Sequence, residues 1–92
     1  MKSIIDNEKQ CLVCGSTSGL HKHHIFFGTS NRKLSEKYGC WCYLCGRHHN
    51  LSNVGVHSNR QLDINLKQFA QEKFNEVYPE LDFREIFGKS YL

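Results

Sequence analysis

Six histidines and five cysteines are the chemically active part of this 92-residue chain, and most of them fall in three short clusters. His21-Lys-His23-His24-Ile-Phe-Phe puts three imidazoles into four positions ahead of an apolar run. Cys11-Leu-Val-Cys14-Gly15 is a thiol pair whose tight turn, closed by a glycine, lets both sulfurs point at one ion. Leu44-Cys45-Gly-Arg-His48-His49-Asn50 adds another thiol and two adjacent imidazoles. Imidazole ligates metals and carries protons near neutral pH, and thiolate is a zinc ligand, so both metal binding and proton transfer are within reach of these residues.

A structural zinc takes four nitrogen or sulfur ligands, commonly as two short-spaced pairs. Cys11 and Cys14 supply one. The other is Cys45/His48 or Cys42/Cys45, both with two intervening residues. Cys45/His48 is preferred, because it sits where a strand gives way to a helix, the turn that commonly presents a second ligand pair; Cys40 and Cys42 are then small buried residues. A redox dithiol at Cys11/Cys14 lacks the βαβ setting it would need. Zinc binding of this kind contributes about 10 to 16 kcal/mol in small fingers, more than a core of this size supplies, so the metal is expected to be a condition of folding.

The elements that position these groups can be read from spacing. Residues 1–10 form a polar lead-in. Leu20 to Phe27 reads as a strand between Gly19 and Gly28, residues 28–39 as a polar excursion with one helical turn over Leu34 to Tyr38, and Cys40 to Leu44 as a returning strand. Cys45 to Asn50 begins a helical turn that ends in a loop around Asn53-Val-Gly55-Val-His57. Ser58 with Gln61 has the spacing of a capping box, and Leu62, Leu66, Phe69, Ala70, Phe74, Val77 and Tyr78 recur at helical spacing up to Pro79. Asp82 with Glu85 caps a short helix that Gly88 ends. Phe26, Phe27, Trp41, Phe69, Phe74, Phe83 and Phe87 are the expected aromatic anchors. The reading is one α+β domain.

If His48 is a zinc ligand on a helix, His49 is rotated by about 100° and faces elsewhere, toward the hairpin that carries His21, His23 and His24. A net charge of +3 is a mild bias toward phosphate-bearing partners. No stretch reaches the roughly 18 apolar residues of a membrane span, the N-terminus lacks the apolar run of a signal peptide, and five cysteines fit a reducing compartment; a cytoplasmic location is expected.

Taken together, Cys11-x-x-Cys14, His23-His24-Ile25 and Leu44-Cys45-x-x-His48-His49 resemble, in order and approximate spacing, the HNH or ββα-metal nucleases built on a treble-clef zinc scaffold. HHIFFGTSNRKLSEKYG, the later HHN and GVH, and the terminal IFGKSYL resemble more narrowly a small phage-borne family related to RecA-dependent recombination nucleases. The resemblance implies a zinc-bound ββα-metal motif at 11–57 with C-terminal helices at 58–92. It also implies an endonuclease that hydrolyses DNA phosphodiester bonds to 5'-phosphate and 3'-hydroxyl ends. By the same resemblance His24 is the general base, and His23 and His49 hold a catalytic divalent ion, Mg²⁺ or Mn²⁺, with Ni²⁺ or Zn²⁺ also suited to imidazole. His57 and Asn50 are candidates for a further metal or phosphate contact, and His21 for an accessory role. Arg32, Lys33, Arg47 and Arg60 lie in or beside the expected DNA-facing loops.

Two departures from the pattern stand out. The superfamily's middle Asn, which helps hold the hairpin loop and orient the base, falls near Cys40, so the backbone or another residue takes that task or activity is weaker. An ideal strand also sends His23 and His24 to opposite faces while His21 and His23 share one, which leaves a His21/His23 ligand pair as a rival. The related RecA-dependent enzymes carry an additional N-terminal region for which this chain shows no room, which counts against dependence on a recombinase filament. The rival functions are a non-catalytic zinc-stabilised DNA-binding or adaptor module, which needs only His48, and a histidine-rich metal-handling protein, which the lack of further Cys or His tracts disfavours.

Overall fold

The computed structural model describes residues 2–50 and 55–92. Strand β1 (Leu20–His24) leads to helix α1 (Asn31–Tyr38), strand β2 (Trp41–Cys45), a single helical turn α2 (Gly46–His49), the long helix α3 (Arg60–Val77) and the short helix α4 (Phe83–Phe87). The architecture is α+β, with β1 and β2 forming a two-stranded antiparallel sheet. Leu20 pairs with Cys45, Lys22 with Tyr43 and His24 with Trp41 in an unbroken register. Alternation from that register puts His21, His23, Cys42 and Leu44 on the inner face and Lys22, His24, Trp41 and Tyr43 on the outer one. Cys42 and Leu44 are buried, as an inner face requires, yet the matching inner positions of β1 are histidines. A hairpin built only for stability would carry aliphatic side chains there.

Strand β1 ends at His24, three residues earlier than apolar patterning suggests: Ile25 still donates to the Cys40 carbonyl (3.0 Å), but Phe26 gives both its backbone groups to Ser35, and the two side chains enter the core. The polar excursion contains two helical turns rather than one. Its Ser35, fully buried, uses its hydroxyl to donate to the Phe26 carbonyl (2.6 Å) and accept from the Phe26 N–H (3.1 Å), so α1 is fastened to the segment that follows His24. Gly39 ends α1 in the left-handed region (φ +76°), and a Cβ there would lie 2.5 Å from the Lys2 carbonyl oxygen. That close approach exists because the N-terminal residues are part of the fold. Ser3 and Ile5 are buried, the Ile4 N–H donates to the Gly39 carbonyl (2.9 Å), and the Ser3 hydroxyl donates to the Trp41 carbonyl.

Helix α3 is capped one residue later than the capping-box spacing indicates: the Asn59 side chain, not that of Ser58, accepts from the Leu62 N–H (3.1 Å). Its buried face is Leu66, Lys67, Ala70, Gln71 and Phe74, rotated away from the apolar stripe, so Phe69 and Val77 are exposed. Polar partners make that rotation possible: Lys67 pairs with Asp63 at 2.7 Å, and Gln71 bonds the Tyr91 N–H and the Ser90 hydroxyl. Asp82 caps α4 by accepting from the Glu85 N–H, and Gly88 (φ +91°) closes it. Phe26, Phe74, Phe83 and Phe87 form the aromatic centre, with ring centroids 4.6–5.9 Å apart across their contacts. Phe27 is not an anchor; it is exposed, with the Lys67 ammonium 4.2 Å above its ring. No helix among the described residues is long and apolar enough to cross a membrane.

Candidate metal centres

The first centre joins two turns. In the Cys11–Gly15 turn the Gly15 N–H donates to the Cys11 carbonyl (2.8 Å) and the Cys11 N–H to the Ser16 carbonyl (2.8 Å). On the other side β2 ends at Cys45, which keeps an extended backbone as the N-cap of α2, and the helical turn then brings His48 round to the same point. The sulfurs of Cys14 and Cys45 lie 3.7 Å apart, and His48 Nδ1 is 3.3 Å from the Cys45 sulfur and 3.9 Å from that of Cys11. Zinc–sulfur and zinc–nitrogen bonds of about 2.3 and 2.0–2.1 Å give tetrahedral edges of about 3.8 Å between sulfurs and about 3.6 Å between sulfur and nitrogen. Cys11, Cys14, Cys45 and His48, whose donor atoms all lie within 4.8 Å of one another, therefore have the dimensions of a zinc tetrahedron.

Burial pushes the Cys11 thiol up, but backbone hydrogen bonds at Cys45, Cys14 and Val13 outweigh it and bring the thiol down to about 6, toward the thiolate that a metal requires. Cys42 is outside this group. Burial pushes its thiol and that of Cys40 up to about 12, so both stay protonated and serve as packing. The pair that lies close enough to Cys11 and Cys14 to share an ion with them is Cys45/His48.

The second centre lies across α2. His49 follows His48 and is rotated off the zinc side, where it meets the inner face of β1. His57 is returned to the same place by a short parallel run: the Val56 N–H donates to the His48 carbonyl (2.8 Å) and the His57 N–H to the His49 carbonyl (3.2 Å). Gly55 permits this return, since a Cβ there would lie 2.8 Å from the His49 carbonyl oxygen. The rings of His23, His49 and His57 stand 4.7–5.4 Å apart, with one donor nitrogen from each within a 4.8 Å group. His49 Nε2 and His57 Nε2 are 3.1 Å apart, close to the edge of a metal polyhedron with nitrogen ligands at about 2.0–2.1 Å. His23 is 3% exposed, and its Nε2 is buried with no hydrogen-bond partner among the described residues. A buried imidazole nitrogen left in that state costs about 1–3 kcal/mol, and a metal ion is a group that would satisfy it. Burial, then the charges of His49, His57, His24 and Lys67, hold His23 down to about 3, so its lone pair is free at neutral pH. His49 is lowered too, by burial and by His57 and His21.

His21 is beside this group rather than in it. Its Nδ1 lies 2.9 Å from His49 Nδ1, the nitrogen on the far side of the His49 ring. If His49 ligates through Nε2, its Nδ1–H donates to His21, which sets the tautomer of the ligand. The rival pair His21/His23 thus shares a strand face but divides between ligand and support.

His24 takes a different partner. Its Nε2 is 2.9 Å from Glu36 Oε1 on α1, and the Lys22 ammonium is 2.7 Å from the same oxygen. The hydrogen bond from His24, followed by that from Lys22, holds the Glu36 carboxyl down at about 2. His24 nevertheless lines the same hollow of about 190 Å³ as His23, His49 and His57, because β1 ends there and the hollow wraps its edge. Arg32, Lys22 and Phe27 complete the wall.

Measured against known protein families, characterised proteins and solved structures, the chain matches none.

Of the other residues marked by sequence, Asn50 is exposed and ends α2, with its backbone N–H on the Gly46 carbonyl (3.1 Å); it does not line the hollow of the histidine group. Lys33 and Arg47 are exposed on α1 and α2 and do not line the hollow, while Arg60 opens α3 beside His57. Asn53 lies outside the described residues. Sequence reading missed Glu36, twelve residues from His24, and Lys22, which pairs with the same carboxylate; both contacts depend on how α1 docks, and no spacing rule marks them. It marked His57 only as a candidate for a further metal or phosphate contact, because no local spacing rule ties it to His49.

Proposed function

We propose that the protein is a metal-dependent DNA endonuclease of the ββα-metal, or HNH, type, with a structural zinc at Cys11, Cys14, Cys45 and His48 and a catalytic ion at His23, His49 and His57. The observation that carries the reading is the buried Nε2 of His23, which has no hydrogen-bond partner among the described residues and shares its hollow with two further imidazoles and with His24. A scaffold that only bound zinc or DNA would need His48 and none of these four. Three imidazoles with no carboxylate among the grouped ligands favour borderline ions such as Mn²⁺, Ni²⁺ or Zn²⁺ over Mg²⁺, which prefers oxygen.

When bound, the ion would neutralise the scissile phosphate and stabilise the leaving 3'-oxygen. The chain's own residues do the rest. His23, His49 and His57 would hold the ion, and His21 fixes the His49 ring. His24 accepts a proton from the attacking water, a task worth about 10²- to 10⁴-fold. Arg32 and Lys22 meet phosphate oxygens at the wall of the hollow, and Arg60, Arg47 and Lys33 contribute phosphate contacts farther out.

The test is cleavage of supercoiled plasmid with Mn²⁺, Ni²⁺, Zn²⁺ or Mg²⁺, comparing the wild type with His24→Ala and His57→Ala after each is shown to retain one zinc. The expected result is metal-stimulated cleavage that drops about 10²-fold or more in His24→Ala. His57→Ala should raise the metal concentration needed. DNA binding without metal-stimulated cleavage would reject the nuclease reading in favour of a non-catalytic module.

A further inference from the structure

We propose that Glu36 is the positioning residue of His24: its carboxylate accepts the Nε2–H, holds the ring in one tautomer, and leaves Nδ1 as the proton acceptor. The role given to Nδ1 rests on the nuclease reading above; the tautomer does not.

The chemistry admits only one arrangement. A neutral imidazole has one donor and one acceptor nitrogen, whereas an ionised carboxylate only accepts. With Glu36 Oε1 2.9 Å from Nε2, the proton must be on Nε2. No other hydrogen bond to the His24 ring occurs among the described residues. Glu36 stays ionised, since both His24 and Lys22 donate to it.

A surface ion pair would explain Lys22 and Glu36 alone, whose side chains are 37% and 42% exposed. It does not explain His24, whose side chain is only 14% exposed and lines the hollow with the metal-type histidines while staying out of their group. The distance is also defended by the fold. Ser35, next to Glu36, clamps α1 to both backbone groups of Phe26, two residues beyond His24. The Ser35 carbonyl in turn accepts from the N–H of Gly39 and, at 2.8 Å, from that of Cys40. Glu36 and His24 are thus held on two segments tied within a few residues of their contact. Cys40, buried as a protonated thiol, offers His24 no such partner.

Two measurements test this. Long-range ¹H–¹⁵N correlation spectra of His24 should show the Nε2–H tautomer in the wild type and a mixed or Nδ1–H population in Glu36→Ala. In plasmid cleavage Glu36→Ala should lower kcat about 10- to 100-fold, with KM for DNA little changed. Glu36→Gln, whose amide oxygen still accepts, should restore part of both signals, and it carries the test should Glu36→Ala fail to fold. A wild-type His24 protonated on Nδ1, or a Glu36→Ala protein with unchanged tautomer and kcat, overturns the proposal. His24-dependent cleavage that ignores Glu36 would sink the positioning role and leave the nuclease reading standing. A tautomer switch in a wild type that cleaves nothing would do the reverse.

Discussion

Removing the zinc from the Cys11/Cys14/Cys45/His48 centre should unfold the protein. The chain of 92 residues would have a net stability of about 5–14 kcal/mol at 0.05–0.15 kcal/mol per residue, and structural zinc contributes about 10–16 kcal/mol in comparable small domains. The loss is therefore of the same size as the fold's whole reserve and exceeds it over most of these ranges. The structure shows why little else would hold: this centre ties the Cys11–Gly15 turn to the end of β2 and the start of α2, and the strands themselves are only five residues each. The perturbation is Cys45→Ala, with Cys42→Ala as its control, since Cys42 is even more deeply buried but outside the ligand group. Native mass spectrometry should count one zinc fewer in Cys45→Ala and none lost in Cys42→Ala. Circular dichroism should show a cooperative melt for the wild type that a strong chelator abolishes. A Cys45→Ala protein that keeps its zinc and melts like the wild type, or a chelated wild type that stays folded, would refute the reasoning.

Three further outcomes are expected. Gly55→Ala should weaken metal affinity at the histidine centre about tenfold while leaving the zinc count unchanged, because its Cβ would press on the His49 carbonyl and displace His57; calorimetric titration with Ni²⁺ reads this, and equal affinity would show that the return loop is not set by that approach. His23 is held at about 3 when folded, against the ordinary histidine value of 6.5, so with the histidine centre free of metal the unfolded chain takes the proton first as pH falls. Stability should then drop by up to about 1.4 kcal/mol per pH unit below pH 6.5, and urea denaturation of His23→Gln between pH 7 and 5 should show a shallower slope; parallel slopes would contradict it. Gly39→Ala should cost more than Gly88→Ala. Both positions have positive φ, worth about 1–3 kcal/mol of strain, but only Gly39 also meets the Lys2 carbonyl at 2.5 Å, and equal losses in chemical denaturation would remove that packing argument.

Much of the candidate chemistry was legible in residue spacing because it is local. The Cys11-x-x-Cys14 turn, the adjacency of His48 and His49, the cap at Asp82 and the stop at Gly88 all depend on backbone geometry over three or four residues, and the structure has each of them. The two-stranded hairpin and the long helix before Pro79 follow from periodicity in the same way. Boundaries were less legible: Ser58 and Asn59 are both good caps, and only the approach of the chain to α3 selects Asn59.

What the sequence by itself determined is therefore the set of groups and their local presentation: two ligand pairs for one ion, and a strand with imidazoles on its inner face. Which imidazoles meet was decided only by tertiary structure. His57 joins His23 and His49 because the chain returns beside α2, His21 is left supporting His49, and His24 turns to Glu36 because Ser35 docks α1 against Phe26. The buried face of α3 was decided there too, since Lys67 and Gln71 can be inside only where Asp63 and the C-terminal residues satisfy them. The physical reason is common to all of these. A polar side chain can be buried at tolerable cost only next to a particular partner, and partners distant in sequence are identified by the packing of whole elements, not by periodicity along one of them.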